Sequence, residues 1–303
     1  MNLAESNHKE IDSAYKYCEM VTKTHAKTFY FAAKFLPRPK QKPIYAVYAL
    51  CRHIDDAVDE AEVSNQTQAV EAVENWKAKL DAVYRCELRK AESSKFEEQN
   101  FVLLAWMDLL KTYKIPQKLP LELMKGVLAD THIKRYETFD DLYVYCFRVA
   151  STVGLMSSEI FGYERAETLE YAEALGIAMQ LTNILRDVKE DALMNRIYLP
   201  QEDLRKFNVT EKQIFDGVID SNFIALVKFQ IARARDYYEK SYKGIALLAP
   251  EARFTVLLAL RIYSRILNEI ERQNYDVFQK RAHTTFRKKV FSIPRIWLEA
   301  KNF

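Results

Sequence analysis

Glycine is scarce in this chain. Only six occur among 303 residues, and none forms a G-x-G-x-x-G turn or a G-x-x-x-x-G-K loop. Such loops cradle phosphates on backbone N–H groups, so a Rossmann or P-loop nucleotide site is disfavoured. Few glycines and eight prolines leave little material for tight turns, so strands joined by hairpins find no support. Four cysteines, Cys18, Cys51, Cys86 and Cys146, are scattered without a C-x-x-C pair, and the five histidines make no H-E-x-x-H. A disulfide framework or zinc site is therefore not expected, and reduced, mostly buried thiols are. No run reaches the roughly 18 consecutive apolar residues of a membrane span. The opening MNLAESNHKEID has no apolar leader segment, so a cytoplasmic protein is the expectation. A formal net charge of +3 is too small to point to nucleic acid as a partner.

Helical periodicity is what the chain has in abundance. Ile44, Val47, Tyr48, Cys51, Ile54 and Val58 mark one face of a 3.6-residue helix. Similar patterns predict helices over roughly 66–90, 97–113, 119–135, 139–162, 165–193, 221–247 and 250–278. Between them fall Pro37, Pro39 and Pro43, then Pro116 and Pro120, Thr138 as a cap before FDDL, Pro200 and Pro250. No repeat, linker or composition shift divides the chain, so a single all-α domain over residues 1–303 is predicted.

Two stretches break the ordinary amphipathic pattern. In NILRDVKED, Asn183, Asp187 and Asp191 stand four residues apart and stack on one helix face; in CRHIDDAVDE, Asp55 and Asp59 do the same. Like charges at that spacing repel by a few tenths of a kcal/mol, and each face is crowded by apolar neighbours. A single D-x-x-x-D is usually a solvated face braced by an arginine, here Arg52 or Arg186. Two such faces, each with an arginine and neither with His or Cys, suit a hard cation such as Mg²⁺, with Mn²⁺ as the alternative. Magnesium is commonly held by one or two carboxylates plus ligand phosphates, so a diphosphate would complete the shells.

HAKTFYFAAKFLP, AVYALCRHIDDAVDE, VASTVG, QLTNILRDVKED and RIYLP together resemble the squalene and phytoene synthases over roughly residues 13–275. The resemblance implies an isoprenoid-synthase helical bundle in which two aspartate-rich helices face each other across a central cavity. It assigns Asp55, Asp59, Asn183, Asp187 and Asp191 to the metal ions, and Arg52, Arg186, Arg196 and Tyr198 to diphosphate. Phe29, Tyr48, Ala150, Gly154, Gln180 and Tyr263 fall where that family lines its pocket, as does Tyr145, which is grouped with the catalytic residues. Asp130, in LADTHIKRYE, matches a further polar position near the metals. Each residue alone also has a plainer reading: Phe29, Tyr48 and Tyr263 as core, Arg196 and Tyr198 as ordering the loop before Pro200, and Asp130 as surface. Asp56 and Glu190 point about 100° away from their motif neighbours and read as solvated or supporting.

The implied reaction joins two allylic prenyl diphosphates head to head through a cyclopropylcarbinyl diphosphate. Phytoene from geranylgeranyl diphosphate is the product expected, with dehydrosqualene or squalene from farnesyl diphosphate as the alternative. NADPH, which reduction to squalene needs, is not expected. A non-catalytic assembly protein of the same fold is the alternative of another class, and the intact acidic faces argue against it. The chain departs from the family at Ala26, where serine is common, and at Ser151 and Lys189, where glycine is common. Lys189 should face away from the metals, whereas the bulk of Ser151 bears on the pocket and hence on substrate length. The basic tail 281–303, with RAHTTFRKKVFSIPRIW, reads either as a solvated segment partly packed on the bundle or as a segment docking reversibly on anionic membrane, on its inner face. The sequence leaves the oligomeric state open.

Overall fold

The computed structural model describes residues 3–62, 66–85 and 98–303. Fifteen α-helices dominate, and no strand occurs among the described residues beyond two isolated bridges, Arg135 with Ile197 and Tyr163 with Leu248. Cys86 and residues 86–90 and 97 of the predicted helices lie outside the described set. None of the described helices is long and apolar enough to cross a membrane.

The first half of the bundle comprises α1 (Leu3–His25), α2 (Lys27–Ala33), α3 (Arg38–Glu62), α4 (Gln66–Tyr84), α5 (Glu98–Leu109) and α6 (Lys118–Ala129). Here α3 packs against α1, α4 and α5. Its predicted apolar face is the reason: Ile44, Val47, Ile54 and Val58 are buried, and Tyr48 and Cys51 partly so. The helix begins at Arg38 rather than after Pro43. Pro39 stands in its first turn, where the missing N–H has no partner to lose, while Pro43 forgoes one helical bond. Gln41 binds the entry, donating to the carbonyls of Lys34 and Leu36 at 3.1 and 2.7 Å.

The second half comprises α7 (Phe139–Cys146), α8 (Thr152–Phe161), α9 (Thr168–Arg186), α10 (Val188–Leu193), α11 (Gln201–Lys206), α12 (Glu211–Asp216), α13 (Ser221–Lys243), α14 (Pro250–Arg272) and α15 (Phe286–Ala300). Thr138 caps α7 as expected: its side chain accepts from the Asp141 N–H, and Asp141 reaches back to the Thr138 backbone. The predicted helix 165–193 is interrupted at Asp187, which has φ −108° and ψ 17° between α9 and α10. The main-chain bonds Asp187 to Asn183 and Asp191 to Asp187 survive at 2.9 Å, so the acidic residues still follow one another along the axis. Helices α1, α2, α11, α12 and α15 lie outside the predicted spans.

Between α7 and α8 the helix widens into a π turn over Phe147–Ser151, which carries the start of VASTVG. Glycines on both sides permit it. A Cβ on Gly126 of α6 would lie 2.7 Å from the Arg148 Cβ, and one on Gly176 of α9 would lie 2.4 Å from the Ser151 Cα. Ser151 is fully buried, and its hydroxyl donates to the Glu173 carbonyl at 2.8 Å. Its bulk is therefore taken up against Gly176 rather than projected into the interior. Gly176→Ala should cost roughly 1–3 kcal/mol by overpacking against backbone, read as a lower urea midpoint with unchanged slope. An unaltered midpoint would show that this contact is not tight.

Candidate active site

One cavity of about 800 Å³ lies where α2, α3, α8, α9 and α14 converge, and its wall changes character along α9. Ala172, Leu175, Gly176 and Met179 line it first, then Gln180, Asn183 and Arg186. At 1.5 Å per residue that is about 21 Å of helix, apolar at one end and polar at the other. Phe29 from α2, Tyr48 from α3, Ala150 from the wide turn, Gly154 from α8 and Tyr263 from α14 complete the predicted lining. Phe29 and Tyr48 meet with ring centroids 5.7 Å apart. Tyr263 donates to the Asn183 Oδ1 at 2.7 Å, and the Asn183 amide donates to Gln180 at 3.1 Å.

At the polar end Asp187 is gripped twice. Arg186 reaches its two oxygens at 2.7 and 2.5 Å, and Arg281 reaches the same two at 2.7 and 2.8 Å. Burial works to raise the Asp187 pKa, but these bonds and charges outweigh it and hold the carboxyl below its usual range. Asp191 has no such grip. Burial, then the charges of Asp187 and Asp130, push it up to about 7.

Asp130 thus belongs to the same corner. Tyr145 and Tyr198 each donate to one of its oxygens at 2.8 Å, and burial raises its pKa against those bonds. The RIYLP segment delivers Tyr198 because the Ile197 N–H donates to Lys134 and the Gln201 N–H to Tyr136, at 3.0 and 2.9 Å. Arg196 donates to the Asp130 carbonyl at 3.2 Å. Tyr145 and Tyr198 stack with centroids 5.1 Å apart, and burial keeps both hydroxyls protonated far above neutral pH. Tyr145, Arg196 and Tyr198 therefore support the wall rather than line the cavity.

On α3, Arg52 holds Asp56 through two guanidinium nitrogens and Asp55 at 3.4 Å. Burial pushes the Tyr48 hydroxyl up to about 12, with Arg52 opposing and Asp55 adding, which ties this acidic stretch to the cavity wall. Asp59 follows one turn later on the helix, and its side chain lies outside the described residues. Lys189 and Glu190 are exposed, turned away as expected.

The donor set fits a hard divalent cation. It is all oxygen, and Asp191 ionises reluctantly because burial and its acidic neighbours outweigh the opposing charge of Arg196. Among the described residues no three carboxylates already converge on one point. Basic residues that sequence reasoning did not assign also line the cavity: His25, Lys27, Arg281 and Lys289. Arg281 and Lys289 were visible only as part of a basic tail.

The squalene/phytoene synthase family profile matches residues 22–288. A 15-cis-phytoene synthase of Synechococcus elongatus is 39% identical over 302 residues, covering 96% of this chain and 94% of its own. The 15-cis-phytoene synthase of Synechocystis is 38% identical, over 96% of this chain and 86% of its own. A dehydrosqualene synthase crystallised with a ligand superposes with TM-score 0.88 at 30% identity, covering 98% of this chain and 100% of the other.

The raised Asp191 pKa has a signed consequence for stability. Its folded value near 7 exceeds the ordinary 3.8, so the stability linked to its protonation is fully present below about pH 4 and lost as pH rises through 7. In chelator-treated protein, Asp191→Asn should therefore gain on the parent by roughly 2–4 kcal/mol between about pH 4 and pH 8. Urea titrations across that range check this. Parallel profiles would clear Asp191 of the strain.

Proposed function

The chain belongs to the squalene/phytoene synthase family, and on that premise we propose that it is a 15-cis-phytoene synthase joining two geranylgeranyl diphosphates head to head and releasing diphosphate. The observation that carries the reading is the polarity gradient of the 800 Å³ cavity, greasy at one end of α9 and polar at the other, where Arg186 and Arg281 line it and hold Asp187 between them. Relatives named phytoene synthase at 38–39% identity support the C20 substrate over the C15 one.

In this reading Asn183, Asp187 and Asp191, with Asp55 and Asp59, hold Mg²⁺, for which Mn²⁺ can substitute. When bound, the metal neutralises the departing diphosphate as a Lewis acid. The chain's own groups do the remaining work. Arg186, Arg281, Lys27 and Lys289 bind diphosphate oxygens as charge-assisted donors. Tyr263 fixes Asn183, and Tyr145 and Tyr198 fix Asp130. The apolar walls exclude the water that would quench an allylic cation, and the Phe29 and Tyr48 rings offer it their faces. The product leaves without reduction, so NADPH takes no part. Substrate and product are both greasy, and the protein works as a peripheral protein at a membrane face.

Supplying each prenyl diphosphate with Mg²⁺, with and without NADPH, should yield phytoene from the C20 substrate regardless of NADPH, identified by mass. Squalene as the main product, or turnover confined to the C15 substrate, would overturn the assignment. Asp187→Asn and Asp191→Asn should each lower turnover by about 100-fold or more with helical circular dichroism unchanged. Wild-type rates in both would sink the metal reading. Mg²⁺ with inorganic diphosphate should raise the melting temperature by more than the sum of the two alone, and purely additive shifts would count against a shared site.

A further inference from the structure

Helix α15 carries much of its apolar surface on the outside. Ser292 and Ile296 face the bundle and are buried, whereas Phe286, Val290, Phe291, Trp297 and Leu298 are exposed, Phe291 to 82% and Phe286 to 69%. At 100° per residue these five fall within one arc of about 140°. Arg287 and Lys301 are exposed in the same arc, with Lys288 and Arg295 on its border. The helix has one acid, Glu299, and Arg261 takes it. The patch does not stop at α15. Phe286 meets Phe31 edge-on at 6.1 Å, Phe31 meets Phe35 at 5.8 Å, and Phe35 is 41% exposed beside the exposed Lys34 and Arg38.

Single exposed apolar side chains are ordinary, but a contiguous aromatic patch set among cations is not. We propose that the outer face of α15, continued by Phe35, docks on an anionic lipid surface. The charge pattern chooses this occupant over a second copy of the chain. A two-fold contact through this face would set its cations against the same cations, whereas anionic headgroups match them.

The same helix is a wall of the cavity. Lys289 lines it and donates to the Thr28 Oγ1 at 2.5 Å, while the next residue, Val290, is exposed on the outer side. One helix, about 10 Å across, separates the cavity from the docking face. Docking brings the seam between α2 and α15 to the lipid interface, where a prenyl chain can enter without crossing water. This second step rests on the prenyl-substrate reading; the docking itself does not.

The test is flotation of the full chain with vesicles of equal parts phosphatidylcholine and phosphatidylglycerol, and with phosphatidylcholine alone. Flotation on the mixed vesicles, weakened by salt and by Arg287→Glu/Arg295→Glu, supports the proposal. Phe291→Ser/Leu298→Ser, which alters only exposed side chains, should reduce the bound fraction at least about tenfold. Its turnover of detergent-dispersed substrate should be unchanged. Docking by a protein with no prenyl turnover would retain the surface and reject the substrate reading. Failure of the parent to float, or equal flotation of the variant, overturns the proposal. So does a parent dimer that the apolar double variant dissociates without any change in flotation.

Discussion

Carboxylates that must stand at the rim of an apolar cavity repel one another and lose hydration, and the surrounding structure is arranged to contain that cost. Arg186 and Arg281 share Asp187, two tyrosines share Asp130, and Arg52 bridges Asp55 and Asp56. These partners come from five separate parts of the chain. Bringing them together requires the strap 194–200 to lie against 130–136 and the residues after α14 to return over the mouth. Asp191 is the carboxyl left in deficit, and that deficit is the clearest physical reason to expect a cation there.

The interior answers to a different demand. Three apolar clusters meet around the cavity, one centred on α1, α3, α5 and α6, one on α9 and α13, and a smaller one beneath α2, α14 and α15. Each packs tightly on its own, and the cavity remains where their surfaces do not interdigitate. Most of its wall is made of helix faces, whose backbone polar groups are already satisfied.

Periodicity revealed α3 because Ile44, Val47, Ile54 and Val58 lie on a single buried stripe, and it revealed the acidic faces because they interrupt such stripes. It was blind to α1, whose buried face is thin: Ala14, Tyr15, Cys18, Val21 and Thr22 between long polar stretches. It also missed α15, where Pro294 and an outward apolar face disguise the helix. The break at Asp187 has no glycine or proline to announce it. Pocket residues within the family-like motifs were legible; Arg281 and Lys289 were not, since nothing local distinguishes a cation that meets Asp187 or lines the cavity from one in solvent. Ser151 does not crowd the pocket, because it packs against Gly176, a pairing 25 residues apart that no spacing rule connects.

The wide turn at Phe147–Ser151 has a consequence for how this protein can be altered. On its flanks the separation of the turn from α9 is set by Ser151 main-chain atoms in near contact with Gly176, and its separation from α6 by the Arg148 Cβ and Val149 Cγ1 against Gly126. Ala150, which projects from that turn into the cavity, therefore hangs from a fixed gauge. Exchanging it changes the room available without moving the walls, whereas adding a single carbon at 126 or 176 moves the walls themselves. Adaptation to longer or shorter guests is accordingly a matter of furnishing at 150, and one of masonry at the two glycines.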